Sequence, residues 1–294
     1  MISDTSSDRT ADREENLLGQ EELSCEMRSF LEQLPPELDL EWTKDKEFLY
    51  HFEAARFQCI CQALKGLFPT SNRPHCILDF GYLHGLLPEF IHRSFPQASI
   101  TVCDRPESPV FFNPAYRKMI AQRPYLKIEP YSLQEIDGLS GTFDLIILGE
   151  VIEHMNPTEV RDALLGLRRK ISPSGGILIT TPNGAGLHNL AQILFDKELV
   201  IYPPLFHATM GYPHIHLWSP RVLNMTLEHC GWRPGKPFYY DGREGELYAR
   251  SNRTWGSIKY QVYIRIWRLM TWLRPAWKGF FVMMAIPEVE PEKP

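Results

Sequence analysis

Between His75 and Thr181, short apolar runs alternate with stretches of helical periodicity, and this alternation restricts the fold more than any other feature of the chain. His75 to Phe80, Ser99 to Cys103, Leu126 to Pro130, Phe143 to Leu148 and Ile177 to Thr181 read as strands. Leu86 to Ser94 and Pro157 to Ile171 read as helices between them, and Ser172 to Gly176 as a turn. The strands are apolar on consecutive residues, as in Leu145-Ile146-Ile147-Leu148, so both of their faces must be covered. A parallel sheet with helices on both faces meets that need. Phe238 to Tyr240 and Phe280 to Ile286 bring the expected count to seven strands, most of them parallel.

Other elements flank this unit. Residues 1–15 are polar and read as a disordered tail. Apolar residues then recur at helical spacing from about Leu17 to Leu34, until Pro35 and Pro36 stop them. Residues 1–44 are therefore expected to be a tail plus an N-terminal helix, and 45–294 the main domain, opened by a helix from about Asp45 to Leu67. A stretch at about 184–219 is aromatic, broken by Pro and Gly, and too long for an ordinary connection, so it is expected to act as a lid over a pocket. Pro220 to His229 resumes helical spacing.

A chain of 294 residues with 44% apolar content has enough material for one large α/β domain. The net charge of −5 gives no global attraction to nucleic acid or anionic membrane. Six scattered cysteines make no disulfide framework, no basic-then-apolar leader stands at the start, and no apolar run reaches the roughly 18 residues of a membrane span. A cytoplasmic protein with reduced thiols is expected.

The segment Ile77-Leu78-Asp79-Phe80-Gly81-Tyr82-Leu83-His84-Gly85 leaves the first strand and enters a helix. In a sheet of this kind, that turn lies where a ligand can approach the backbone. Gly81 allows the sharp turn and Gly85 a close helix start. About 25 residues after Asp79, the next strand ends at Asp104, a carboxylate placed to accept two ribose hydroxyls. With Phe143 to His154, and with Leu167 to Asn183 (its Ser-Pro-Ser-Gly-Gly turn and Thr-Pro-Asn exit), these elements resemble the class I S-adenosylmethionine-dependent methyltransferases over roughly residues 74–240. The resemblance implies a Rossmann-like fold and S-adenosyl-L-methionine as cofactor. It implies that Asp79, Gly81, Tyr82, Gly85, Asp104, Arg105 and Glu150 bind it, with Asp79 facing the amino group of the methionine moiety. Leu83 stands where the family's middle glycine is usual. That departure keeps open a rival reading, in which the chain is a catalytically degenerate scaffold.

Glu150, Glu153 and His154 stand at i, i+3 and i+4, and share a face if the segment turns helically. His214 follows about 60 residues later. Two readings stand. The segment resembles that of ubiquinone-type and glycan- or lipid-tailoring O-methyltransferases. This implies O-methylation of a small-molecule, glycan or lipid-linked acceptor, with His154 or His214 as general base. It also resembles that of small-RNA 3′-terminal 2′-O-methyltransferases, in which Glu150, Glu153, His154 and His214 would bind Mg²⁺ or Mn²⁺. The plain alternative for Glu153 is a helix cap or a pairing with Arg161. His188, His207 and His216 read as loop or structural residues.

From Leu247 to Pro287 there are seven basic residues and no acidic ones, interleaved with Trp and Tyr. The basic aromatic segment at about 250–279 reads either as a helix packed on the sheet with its cations reaching water, as a peripheral membrane contact, or as a surface for nucleic acid.

Overall fold

A computed structural model of the chain describes residues 28–30, 32, 46–69, 73–83, 85–191, 214–241 and 258–288. The expected tail, most of the Leu17–Leu34 helix, His84, His207 and the middle of the 184–219 stretch lie outside the described residues, as do the residues of the basic segment before Ile258.

The helices are α1 (Lys46–Leu67), α2 (Leu86–Ser94), α3 (Pro114–Ala121), α4 (Pro157–Arg168), α5 (Leu187–Ala191), α6 (Pro220–His229) and α7 (Ile258–Leu273). The strands are β1 (Cys76–Phe80), β2 (Ser99–Cys103), β3 (Leu126–Glu129), β4 (Phe143–Gly149), β5 (Ile171–Pro182), β6 (Trp232–Pro234), β7 (Phe238–Tyr240) and β8 (Phe280–Pro287). They form one sheet of order β3-β2-β1-β4-β5-β8-β6, with β7 also on β8. The pairs among β1 to β5 are parallel, and β8 runs antiparallel to β5, β6 and β7.

The sheet has eight strands rather than seven, because the expected strand at Phe238 begins earlier and is broken in two. Trp232–Pro234 pairs with the far end of β8 and Phe238–Tyr240 with its near end. Pro234 and Pro237 lack an N–H for the ladder, so pairing lapses between the two pieces. Only Gly235 N–H bridges the gap, donating to the Met284 carbonyl at 2.7 Å. The expected turn at 172–176 is also different. The residues stay within β5 as a bulge, with the register jumping from Phe143↔Ile171 to Leu145↔Gly176. Ser172 hydroxyl donates to Asp144 at 3.0 Å, and a Cβ on Gly175 would sit 2.5 Å from the Asp144 carbonyl oxygen, so glycine is required there.

Alternate residues of the strands feed two cores. Ile77, Ile100, Leu145, Ile147 and Leu178 pack under α1 and α2, where Phe57 stacks on Phe90 at 4.3 Å. Leu78, Ile146, Leu148, Ile177 and Ile179 pack on the opposite face with Val160 and Leu164 of α4 and Leu223 and Leu227 of α6. The carboxyl ends of β1, β2, β4 and β5 therefore meet at one edge of a fully covered sheet, which leaves that edge to bind a ligand.

Candidate functional site

After β1 the chain turns through Gly81 at φ +87°, Leu83 at φ +47° and Gly85 at φ +76°. Leu83, which replaces the expected glycine, adopts the left-handed backbone that a glycine would take, and its side chain is 44% exposed. The bulk is thus directed out of the packed interior, at the cost of left-handed strain. Tyr82 turns inward, packs edge-on to Tyr116, and fills the space beside Gly85, where a Cβ would lie 2.6 Å from its hydroxyl oxygen. Burial pushes the Tyr82 hydroxyl up to about 12. Asp104 is tied to this loop: one carboxylate oxygen accepts the Tyr82 N–H at 3.0 Å and the other the Arg105 N–H at 2.8 Å. A carboxylate has about four acceptor positions, so capacity remains for two sugar hydroxyls. The Arg105 side chain is exposed beside it.

Beneath the loop lies a buried charged group that the sequence reading only half foresaw. Asp79 is 1% exposed, and beyond the adjacent Phe80 N–H no donor meets its carboxylate oxygens. Its carboxyl is held well above the usual range by burial, which the charge of Arg56 only partly offsets. Arg56 projects from α1, is buried, and pairs with Glu53 at 2.8 Å. Burial disfavours its charge, but the surrounding acids Glu53, Glu150 and Asp79 outweigh that, and the guanidinium stays cationic. Its Nε has no hydrogen-bond partner. A buried acid and a buried cation, each with unsatisfied hydrogen-bonding atoms, are costly unless a ligand completes them. The zwitterionic end of an amino acid fits both, its ammonium on Asp79 and its carboxylate on Arg56. Arg56 was missed in the sequence, although a Glu53–Arg56 pair standing among Phe52, Ala55 and Phe57 was its visible sign.

Glu150 follows β4 in a left-handed conformation, φ +57°, a strain that non-glycine residues carry chiefly at functional sites. Thr180 and Tyr240 hydroxyls donate to its Oε1 at 2.8 and 3.0 Å. Burial raises the carboxyl, against the charge of Arg56 and these two hydrogen bonds. Glu153 is fully buried, with its Oε2 accepting from Thr181 at 3.0 Å. Burial, then the neighbouring Glu150 charge, holds the Glu153 carboxyl well above the usual carboxylate range.

The expected i, i+3, i+4 helical face is not formed. Glu150 lies on the connection and only Ile152–His154 make a single 3₁₀ turn. What gathers the residues is the segment from His214 to Trp218. Ile215 N–H and His216 N–H donate to the Glu153 carbonyl at 2.7 and 3.2 Å, and Trp218 indole N–H to the Ile152 carbonyl at 3.1 Å. His214 is thereby laid against His154, ring centroids 4.9 Å apart at 70°. One ligating atom from each of Glu153, His154 and His214 lies within 4.8 Å of the others, a grouping able to hold a metal ion. Glu150 falls outside that cluster, engaged instead by Thr180 and Tyr240. His216 packs on Trp218, as a structural residue does. Glu153 neither caps a helix nor pairs with Arg161. Asn156 caps α4, and Arg161 binds Asp162.

Among solved structures, the fold is similar to an S-adenosylmethionine-dependent methyltransferase from Archaeoglobus fulgidus, at 17% identity and TM-score 0.52, over 84% of this chain and all of that one. It is similar to the CcbJ methyltransferase from Streptomyces caelestis, at 12% identity and TM-score 0.50, over 81% and 90% of the two chains. It is also similar to the pyocyanin biosynthetic protein PhzM, at 13% identity and TM-score 0.50, over 89% of this chain and 61% of PhzM. Mitomycin 7-O-methyltransferase MmcR is longer again, and the chain spans about half (49%) of it. No curated protein matches the sequence. A family described as a methyltransferase domain matches residues 52–234, more than half of the chain and the whole of the sheet from β1 to β6 apart from its antiparallel closure. With Asp79, Asp104 and the loop between them arranged on that sheet, the chain belongs to this family and is an S-adenosylmethionine-dependent methyltransferase of class I.

Proposed function

We propose that the enzyme transfers its methyl group to a hydroxyl oxygen of a small-molecule, glycan or lipid-linked acceptor, with His154 or His214 taking the hydroxyl proton. The observation that carries this reading is the His154–His214 pair, half-buried and set beside the Glu150–Glu153 acids at the carboxyl edge of the sheet. The bound cofactor supplies a methyl group already activated by its sulfonium charge. The chain therefore has to align the acceptor oxygen, exclude water and remove one proton. Arg56 and Asp79 hold the amino-acid end of the cofactor, Asp104 its sugar, and Glu150 walls the sulfonium side. An imidazole is suited to the proton because its ordinary titration range spans neutral pH.

The test is methyl transfer from isotopically labelled cofactor to a panel of phenols, saccharides and polyprenyl alcohols. His154→Ala and His214→Ala are expected to lower kcat by about 10²–10⁴ for the residue that acts as base, with cofactor Kd unchanged. Label recovered on nitrogen or carbon in every product would overturn the reading.

A second reading rests on the three-residue cluster of Glu153, His154 and His214. There a divalent Mg²⁺ or Mn²⁺ would gather acceptor hydroxyls, as at an RNA 3′ end, and its binding would displace the Glu153 proton. Activity abolished by chelator and restored by either ion would favour it, and full activity in chelator would remove it.

A further inference from the structure

Helix α7 is fixed to the body of the protein along one side. Trp267 is 3% exposed and its indole N–H donates to Asp241 just past β7; Thr271, one turn on, is also 3% exposed and its hydroxyl donates to the Trp267 carbonyl at 3.0 Å. At about 100° per residue, Ile266, Leu269, Trp272 and Leu273 fall in a single arc on the opposite side, centred on Leu269. They are 52%, 55%, 73% and 66% exposed. Arg265 lies within that arc and Arg268 beside its margin; Arg274 follows the helix, with its guanidinium over the Trp277 ring at 5.2 Å; all three are exposed, and no acid occurs from Arg265 to Arg274. Single exposed apolar residues are common on any protein, but four in one arc with a nearly open Trp mark a surface that something covers.

The charge pattern selects the occupant. A second copy's α7 packed on this face would bring it more arginines and no carboxylate. An anionic bilayer instead offers acyl chains to the apolar arc and phosphates to the Arg265 and Arg268 guanidiniums, which reach them on long stems. Trp is at home at that boundary. Among the described residues no helix is long and apolar enough to cross a membrane, so the helix would lie in the interface plane.

We propose that α7 docks the enzyme on an anionic lipid bilayer, with Ile266, Leu269, Trp272 and Leu273 at the acyl boundary and Arg265 and Arg268 on lipid phosphates. The location gives the surface a use. The turn after α7 is tied to the exit of β5, where Asn183 side-chain N–H groups donate to the Ala276 and Lys278 carbonyls at 3.0 and 2.8 Å. The docking helix thus hangs from the same edge of the sheet that carries Glu150 and His154. Recruitment of a lipid-linked acceptor follows only if the O-methylation reading holds; docking itself does not depend on it.

The test is co-sedimentation of the full chain with phosphatidylcholine vesicles, with and without phosphatidylglycerol. Binding is expected with the anionic vesicles, weakening as salt is added. The double variant L269E/W272E is expected to lose about tenfold or more of the bound fraction, while its Tm and cofactor affinity stay unchanged because both side chains face solvent. R265Q/R268Q is expected to lose the dependence on phosphatidylglycerol. The proposal is overturned if the unaltered chain ignores anionic vesicles or if L269E/W272E binds them equally well. A self-association in sedimentation velocity that L269E/W272E abolishes would overturn it as well, since the face would then belong to a second copy. No acceptor is present in these assays, so their failure is distinguishable from failure of the methyl-transfer reading.

Discussion

At the scale of single residues, the unmet polar atoms carry most of the chemistry. Asp79 is buried beside a cation, yet burial keeps its carboxyl raised. A ligand ammonium would favour the ionised form, so cofactor binding should release a proton and tighten as pH rises. Calorimetry in buffers of different ionisation enthalpy reads that release directly, and Asp79→Asn should abolish it together with most of the affinity. Glu153 is raised for a different reason, burial reinforced by Glu150. A folded pKa above the unfolded value of about 4.3 stabilises the protein fully below that value and is lost as pH rises toward the folded one. Glu153→Gln, which keeps the shape of the protonated acid, should therefore flatten the fall of Tm above about pH 4. Leu83 allows a third measurement. Its left-handed backbone costs about 1–2 kcal/mol, part of which Leu83→Gly would regain against the greater chain entropy of glycine, so unfolding in denaturant should show no loss of stability.

At the scale of elements, the acceptor side depends on a strip without regular structure. His214 to Trp218 is placed by hydrogen bonds to the carbonyls of Ile152 and Glu153, not by a helix or a strand ladder. Trp218→Phe keeps the buried ring but leaves the Ile152 carbonyl unmet, an omission costing about 1–3 kcal/mol. If His214 acts on the acceptor, this variant should lower kcat with little change in cofactor Kd, because the Asp79–Asp104 side is held by separate contacts. The helical face expected from the 150-153-154 spacing did not form, since Glu150 takes a left-handed turn and Asn156 caps α4 only afterwards. The spacing singled out Glu153 and His154, which the structure brings beside His214 through the 214–218 strip rather than through a helical face. Thr181 and Asn183 stood out only within the Thr-Pro-Asn exit that carries the family resemblance; with Thr180, they gave no sign of their partners, because hydroxyls and amides at strand ends are commonplace.

At the scale of the molecule, the antiparallel β8 closes the sheet. Buried Val282 and Met284 feed one core, while Phe281, Met283 and Ala285 feed the other, and the strand pairs with β5, β6 and β7 at once. Met283→Ala should destabilise the whole protein by about 2–5 kcal/mol in denaturant unfolding, with cofactor affinity of the folded fraction preserved. The layered architecture, the mostly parallel sheet and the glycine turn at Asp79–Gly85 were readable in advance. Continuous apolar runs demand a covered parallel sheet, and glycines at strand exits are required by backbone sterics that act within a few residues. The sequence alone thus determined the covered, mostly parallel sheet and the glycine turn that leaves its first strand. Only the tertiary structure decided that Arg56 faces Asp79, that Tyr240 and Thr180 grip Glu150, and that His214 meets His154. Those pairings join residues dozens of positions apart, and no local propensity specifies which distant side chains the packing of α1, β7 and the 214–218 strip will bring within reach.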